Sequence, residues 1–208
     1  QFTGALATLA SRGFGIEILA EETYGPRDSD MTAQLTNLKG KAGMQALINP
    51  GFGQGPAIVT RNAKQLGITV PLYQSHGFAN RKYAEQAGVA AEGTLFPASR
   101  IVVGDELADD HPQKKVVTSY KQEYEKLFNE DVSTFGGHAY DALLVIVEAL
   151  KKAGGPDREK VRQAIEGIQG LVGTAGVFNF SATDHTGLSL DAFEMITVKN
   201  GKFTVYRK

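Results

Sequence analysis

The chain has 208 residues, 42% of them hydrophobic, with 22 basic and 23 acidic side chains. That composition excludes a disordered chain and supplies cores for one ordinary domain or two small lobes. A formal charge of −1 with no basic stripe argues against nucleic-acid binding, and the lack of cysteine excludes disulfides, thiolate metal sites and cysteine nucleophiles.

No stretch reaches the ~20 apolar residues of a membrane span. Gln1 leads straight into residues 2–13, whose Phe2, Ala5, Leu6 and Leu9 share one helical face. With neither an initiator Met nor a leader in front of it, this start is expected of a chain cut from something longer. Residues 16–24 form an apolar run that predicts a strand, and 25–30 break it. Asp28, Ser29 or Asp30 can cap the next helix, whose inner face is Met31, Leu35, Leu38 and Ala42. A strand at 44–49, a turn at 50–56 and a helix at 57–66 follow, with Val59, Ala63 and Leu66 inward and Gly67 as the stop. A strand at 70–74, a helix at 79–87 ending at Gly88, and a strand at 93–99 complete a β-α-β-α-β series. Such alternation predicts an α/β protein with a parallel sheet and right-handed crossovers.

Beyond residue 100 the pattern changes. Residues 101–111 are polar and acidic. A helix is predicted from Pro112 with a stripe of Val116, Tyr120, Tyr124 and Leu127. A second, 137–153, carries Tyr140, Leu143, Leu144, Val147 and Leu150 and stops at Gly154-Gly155; a third, 158–168, is capped by Asp157. Residues 176–180 read as a strand, and 194–206 as a hairpin turning on Asn200-Gly201. Strands are too few in 101–175 for an independent α/β domain, so these helices are expected to cover a sheet built elsewhere.

In open parallel sheets, ligands bind beyond the carboxyl ends of the strands, here the turns at 22–30, 49–56 and 74–80. Gly51 and Gly53 suggest a dinucleotide loop, but the third glycine of that motif would stand at Pro56, and the next strand ends in Gln74-Ser75-His76 with no acid for a ribose. The turn is then either a plain glycine-rich turn or a rim on which Phe52 offers a ring to a ligand. The turn at 74–80 passes from strand to helix, so its backbone N–H groups favour an anion and His76 can add a donor; the alternative is a structural histidine. His111, His138 and His185 read as structural, with no paired metal spacing. Ser75 and His76 are neighbours whose side chains diverge, and no nucleophile elbow is present. The pattern points to binding without catalysis, cofactor or metal.

Four blocks carry a family resemblance: AEETYGPRDSDMTAQLTNLK at 20–39, LYQSHGFANRKYAEQAGVAAEGTLFPASR at 72–100, STFGGHAYDALLVIVEALKKAGG at 133–155 and GTAGVFNFSATDHTGL at 173–188. In sequence and order they resemble the type I periplasmic substrate-binding proteins of branched-chain amino-acid-type ABC transporters. The resemblance implies a two-lobed, three-layer α/β/α fold with parallel sheets. Residues 1–100 would be the C-terminal lobe without its first strand, 101–190 the return to an N-terminal lobe mostly outside this chain, and 191–208 a hairpin back to the C-terminal lobe. It also implies hinge closure on a small carboxylate in an inter-lobe cleft, a membrane permease as partner, a signal peptide, and a periplasmic or extracellular, membrane-tethered location.

Phe52 matches the aromatic of the family's glycine-rich turn, and His76 stands where amino-acid binders carry an acid. Gly53, Ser75 and Phe78 join them as expected ligand contacts. A buried ammonium without an anionic partner costs several kcal/mol. The expected ligand is therefore an aromatic or 2-oxo acid, unless Glu21, Glu22 or an acid of the other lobe supplies the charge. The alternatives are a branched-chain or other amino acid, or a sensor domain of the same fold.

Overall fold

The computed structural model describes residues 13–207, so the helix predicted over 2–13 lies, but for Gly13, outside the described residues. The chain divides into two compact units. The first takes in the chain as far as Phe78, with 82–96 and 197–202; the second takes 79–81, 97–196 and 203–208.

In the first unit, the run at 16–24 is not a strand. It has no ladder partner among the described residues, and Ile16 and Leu19 are exposed. An extended segment with neither ladder nor buried face gains nothing to fix it. Helix α1, Thr32–Lys39, is set by Asp30, whose carboxylate accepts the Thr32 N–H at 2.9 Å and the Thr32 hydroxyl at 2.5 Å. The Met31 N–H goes instead to Asn62 Oδ1 at 3.0 Å. Met31 and Leu35 pack with Leu47, Ile58, Val59 and Ala63, while Leu38 lies at the margin. Each fully buried side chain of this size contributes roughly 1.5–3 kcal/mol. Ala42, expected on the same face, falls beyond the helix end and is exposed.

Strand β1 (Leu47–Asn49), helix α2 (Gly55–Gln65), strand β2 (Leu72–Gln74), helix α3 (Arg81–Ala87) and strand β3 (Leu95–Ser99) follow in the expected alternation. Helix α2 starts before 57 because Pro56 suits a first helical turn. It ends at Gly67, whose φ of +67° is easy only for glycine. β1 and β2 pair in parallel with Leu47 opposite Leu72, Ile48 opposite Tyr73 and Asn49 opposite Gln74; β2 is parallel to β3. Strands β6 (Phe193–Lys199) and β7 (Lys202–Val205) extend the sheet to the order β1-β2-β3-β6-β7. Their turn places Asn200 at φ +52° and Gly201 at φ +71°, as a two-residue hairpin requires. The Glu92 carboxylate accepts the N–H groups of Asn200 at 2.9 Å and Gly201 at 2.6 Å.

The second unit holds helices α4 (Lys114–Phe128), α5 (Thr134–Ala153) and α6 (Arg158–Glu166) and an antiparallel ribbon of β4 (Leu171–Val172) and β5 (Val177–Phe178). Helix α4 begins after Pro112 because His111 closes a turn ahead of it: its carbonyl accepts the Lys114 N–H at 2.9 Å and its Nδ1 the Gln113 N–H at 3.1 Å. Val117 is the fully buried residue of α4; Leu127, expected inward, is exposed. The buried face of α5 is Thr134, Gly137, Asp141, Val145 and Ala149, whereas Leu143 and Val147 face outward. The inward face is chosen by a polar residue. Asp141 Oδ1 accepts the Thr174 N–H at 2.7 Å, and Oδ2 accepts the Ala175 N–H at 2.7 Å and the Thr174 hydroxyl at 3.1 Å. Asp157 caps α6 by accepting the Lys160 N–H at 2.9 Å.

Candidate functional site

The candidate site lies in the first unit, on the loops that leave β1 and β2. The register that sets Asn49 opposite Gln74 also puts their side chains on one face of the sheet. Asn49 Nδ2 donates to Gln74 Oε1 at 2.8 Å. Gln74 Nε2 donates to Thr60 Oγ1 at 2.9 Å and to the Pro56 carbonyl at 3.1 Å. From the other side, the Tyr24 hydroxyl donates to Asn49 Oδ1 at 2.9 Å. Asn49, Gln74 and Thr60 are buried, so these bonds replace those that water would make. Burial pushes the Tyr24 phenol above its ordinary pKa, an effect that its bond to Asn49 only partly offsets, and this keeps it a neutral donor.

The glycines of the turn answer Tyr24. A Cβ at Gly51 would lie 2.0 Å from Tyr24 Oη, and one at Gly55 would lie 2.5 Å from Tyr24 Cε2. The turn between them therefore wraps closely on the phenol. Gly53, at φ +73°, gives the turn its left-handed step.

The second loop is tied to the first at Ser75. Its N–H donates to the Asn49 carbonyl at 3.1 Å, and its hydroxyl donates to the Gly51 carbonyl. The same hydroxyl accepts the Gly77 N–H at 3.1 Å. A Cβ on Gly77 would meet Phe52 Cβ at 2.7 Å, so the two loops touch. The Phe52 side chain nevertheless stands free at 75% exposure, with its ring toward solvent. His76 is half-buried at the start of the short turn His76–Phe78, with Nε2 shielded from solvent.

Phe52, Gly53, Ser75 and His76 are thus brought together on adjoining loops. Phe78 is a correction. It is 0% exposed and packs edge-to-face on Phe96 at 5.3 Å between ring centroids, so it is a core residue that offers a ligand no surface. Three of the four acids between residues 21 and 30 bond locally: Asp28 accepts the Gly25 N–H at 2.7 Å, Asp30 holds Thr32, and Glu22 accepts from Asn37 at 3.1 Å, while Glu21 is exposed. Among the described residues, no group of three or more His, Asp or Glu could hold a metal ion, and no helix is long and apolar enough to cross a membrane.

Sequence reasoning passed over Tyr24, Asn49, Thr60 and Gln74. Two of them carried a signal: each of the strands Leu-Ile-Asn and Leu-Tyr-Gln ends in a side-chain amide. Amides ending neighbouring parallel strands are placed to bond across the ladder.

Residues 3–202 match the family model described as periplasmic binding protein. The leucine-, isoleucine-, valine-, threonine- and alanine-binding protein of Pseudomonas aeruginosa is 30% identical over 193 residues, which are 92% of this chain and 45% of that protein. An extracellular ligand-binding receptor from Rhodopseudomonas palustris HaA2 superposes with a TM-score of 0.92 at 26% identity, over 99% of this chain and 59% of the receptor. The branched-chain amino acid transporter substrate binding protein LivJ from Streptococcus pneumoniae, solved in complex with isoleucine, gives a TM-score of 0.80 at 25% identity, over 99% of this chain and 56% of that one. The chain spans about half the length of the curated relatives it matches. These relatives are binding proteins rather than enzymes, and the family's place is the periplasm or the cell exterior. With its parallel β-α-β sheet and with blocks matched across nearly its whole length, the chain belongs to the periplasmic binding protein family and has that family's type I fold.

Proposed function

We propose that the protein is the solute-binding component of an ABC importer, delivering to a membrane permease, and that it takes a small carboxylate lacking an α-ammonium group. An aromatic acid or a 2-oxo acid fits this description. Phe52, Gly53, Ser75 and His76 would supply this lobe's contacts. One observation carries the choice of ligand: a histidine, His76, rather than an acid occupies the loop that leaves β2. An ammonium desolvated there would meet an imidazole rather than an anion, at a cost of several kcal/mol. A carboxylate can accept a hydrogen bond from an imidazole N–H, and an aromatic ring can stack on Phe52 for about 0.5–1.5 kcal/mol.

A second reading is an α-amino acid ligand. It is favoured by the Pseudomonas aeruginosa relative, named for binding five amino acids, and by the Streptococcus pneumoniae protein that holds isoleucine. A thermal-shift series on the intact protein separates the two. Benzoate, phenylacetate, 4-methyl-2-oxopentanoate, leucine and isoleucine are each tested at millimolar concentration. A rise in Tm with the acids and none with leucine or isoleucine supports the proposal. A rise with leucine or isoleucine alone overturns it and leaves the second reading.

A further inference from the structure

We infer that Tyr24 is a positioning residue of this site: through one hydroxyl and one ring face it holds the glycine-rich turn and the His76 loop as a single body. This deepens the functional reading above and depends on that reading only for what the site binds.

Two segments distant in sequence meet at this phenol, its own and the turn from Asn49 to Gly55. Its hydroxyl closes a chain of hydrogen bonds that runs from α2 through Gln74 and Asn49. The Pro56 carbonyl can only accept, so Gln74 turns Nε2 toward it and Oε1 toward Asn49 Nδ2, which leaves Asn49 Oδ1 for a donor. The Tyr24 hydroxyl is that donor, and its removal takes the outer support from both strand-end amides. The ring does the second task. Gly51 and Gly55 lie so close to it that neither could carry a Cβ without displacing the phenol. The turn that presents Phe52 is thereby moulded on Tyr24 from below. It is also fastened to the second loop by the Ser75 hydroxyl and by the close approach of Gly77 to Phe52. Tyr24 offers its hydroxyl to Asn49 and its ring to the turn, so its effect on a ligand is exerted through Phe52 and His76.

The decisive experiment compares the intact protein with its Tyr24→Phe variant by amide-resolved hydrogen exchange. The reporters are the hydrogen-bonded N–H groups of Ser75 and Gly77 in the second loop and of Ala57 and Ile58 in the first turn of α2, with Tyr206 beside the hairpin as control. Loss of one buried hydrogen bond is expected to speed exchange at Ser75, Gly77, Ala57 and Ile58 together by about tenfold and to leave Tyr206 unchanged. Unchanged rates at Ser75 and Gly77, or equal acceleration everywhere, overturn the inference, the second because it would make Tyr24 an ordinary stabilising residue.

A rescue experiment adds an independent reading. Gly51→Ala places its Cβ 2.0 Å from Tyr24 Oη, whereas in the double variant with Tyr24→Phe the nearest remaining side-chain atoms lie at 3.1 and 3.2 Å. The double variant is expected to recover at least half of the Tm lost by Gly51→Ala; simple additivity of the two losses overturns the inference. Neither readout uses a ligand. Failure of benzoate, phenylacetate and the 2-oxo acid to bind would count against the proposed function and leave the role of Tyr24 to be decided by exchange and rescue.

Discussion

Replacing Asp141 by leucine should cost at least twice the stability that replacing it by asparagine costs. The carboxylate is 2% exposed and accepts two backbone N–H groups, Thr174 and Ala175, both at 2.7 Å, besides the Thr174 hydroxyl. Leucine has the same branched shape but larger methyl groups, so no cavity forms, some overpacking is added, and both amides and the Thr174 hydroxyl lose their acceptor. Hydrogen bonds to a charged group are worth about 1.5–3 kcal/mol each, so the two amides alone account for about 3–6 kcal/mol. Asparagine keeps one oxygen for Thr174 and can donate its NH₂ to the Thr174 hydroxyl. The Ala175 N–H then faces a donor, and the loss is about 1.5–3 kcal/mol. Against a total stability of about 5–15 kcal/mol, the leucine variant is near the limit of folding. At about 2–4 °C per kcal/mol, Tm should fall by roughly 3–12 °C for asparagine and by at least about twice that for leucine. Urea unfolding of the intact protein followed by circular dichroism supplies both free energies. A leucine variant as stable as the asparagine one, or within about 1 kcal/mol of wild type, would refute the assignment of Asp141 as the residue that turns α5 inward.

Phe52 and Phe78 differ in surroundings, so alanine at each should separate function from stability. Phe78→Ala should cost about 3–5 kcal/mol in urea unfolding, whereas Phe52→Ala should stay within about 0.5 kcal/mol of wild type and lower ligand affinity in titration calorimetry. Gly77→Ala forces a Cβ to within 2.7 Å of Phe52 Cβ and should cost about 1–3 kcal/mol by overpacking, read as a lower Tm of the ligand-free protein. Tyr24 gives a pH dependence. Its folded pKa is raised by burial, so the unfolded state loses the proton first. The stability tied to the neutral phenol is intact below about pH 10 and lost as the pH rises through the folded value. Between about pH 9 and 11.5, unfolding free energy should fall more steeply for wild type than for Tyr24→Phe; parallel curves would remove the phenol from the account.

The alternation of the first half was legible because each strand is a short apolar run closed by a turn, and each helix ends at a residue built for stopping, such as Gly67 or Gly88. The hairpin at Asn200-Gly201 was legible for the same reason: backbone twist leaves that turn few choices of residue. Two kinds of reading failed. Residues 16–24 have strand composition, but a strand exists only with a neighbour to pair with, which no local pattern can report. On α5 the apolar residues spread around the helix, and hydrophobic periodicity chose Leu143 and Val147 over the face that Asp141 directs inward. Burial of a carboxylate depends on backbone donors some thirty residues away, which periodicity does not register. At the site, the turns were found because strand ends in parallel sheets collect ligands, and Phe52 and His76 stood out as the large aromatic and the titratable group. Phe78 was misplaced because one turn of chain points successive side chains in different directions, and only packing against Phe96 settles which goes inward. The relay from Tyr24 to Thr60 was missed because each member is an ordinary polar residue until the strand register sets Asn49 beside Gln74.

If Phe52 is the ligand contact proposed above, its bare ring, seated between Gly51 and Gly53, would let selectivity drift independently of architecture. A side chain that supports nothing beneath it can be exchanged for a smaller, larger or polar one at almost no expense in folding, since substitutions at such positions seldom exceed about 0.5 kcal/mol. On that proposal, single codon changes at position 52 would suffice to alter what is bound, with the frame inherited whole.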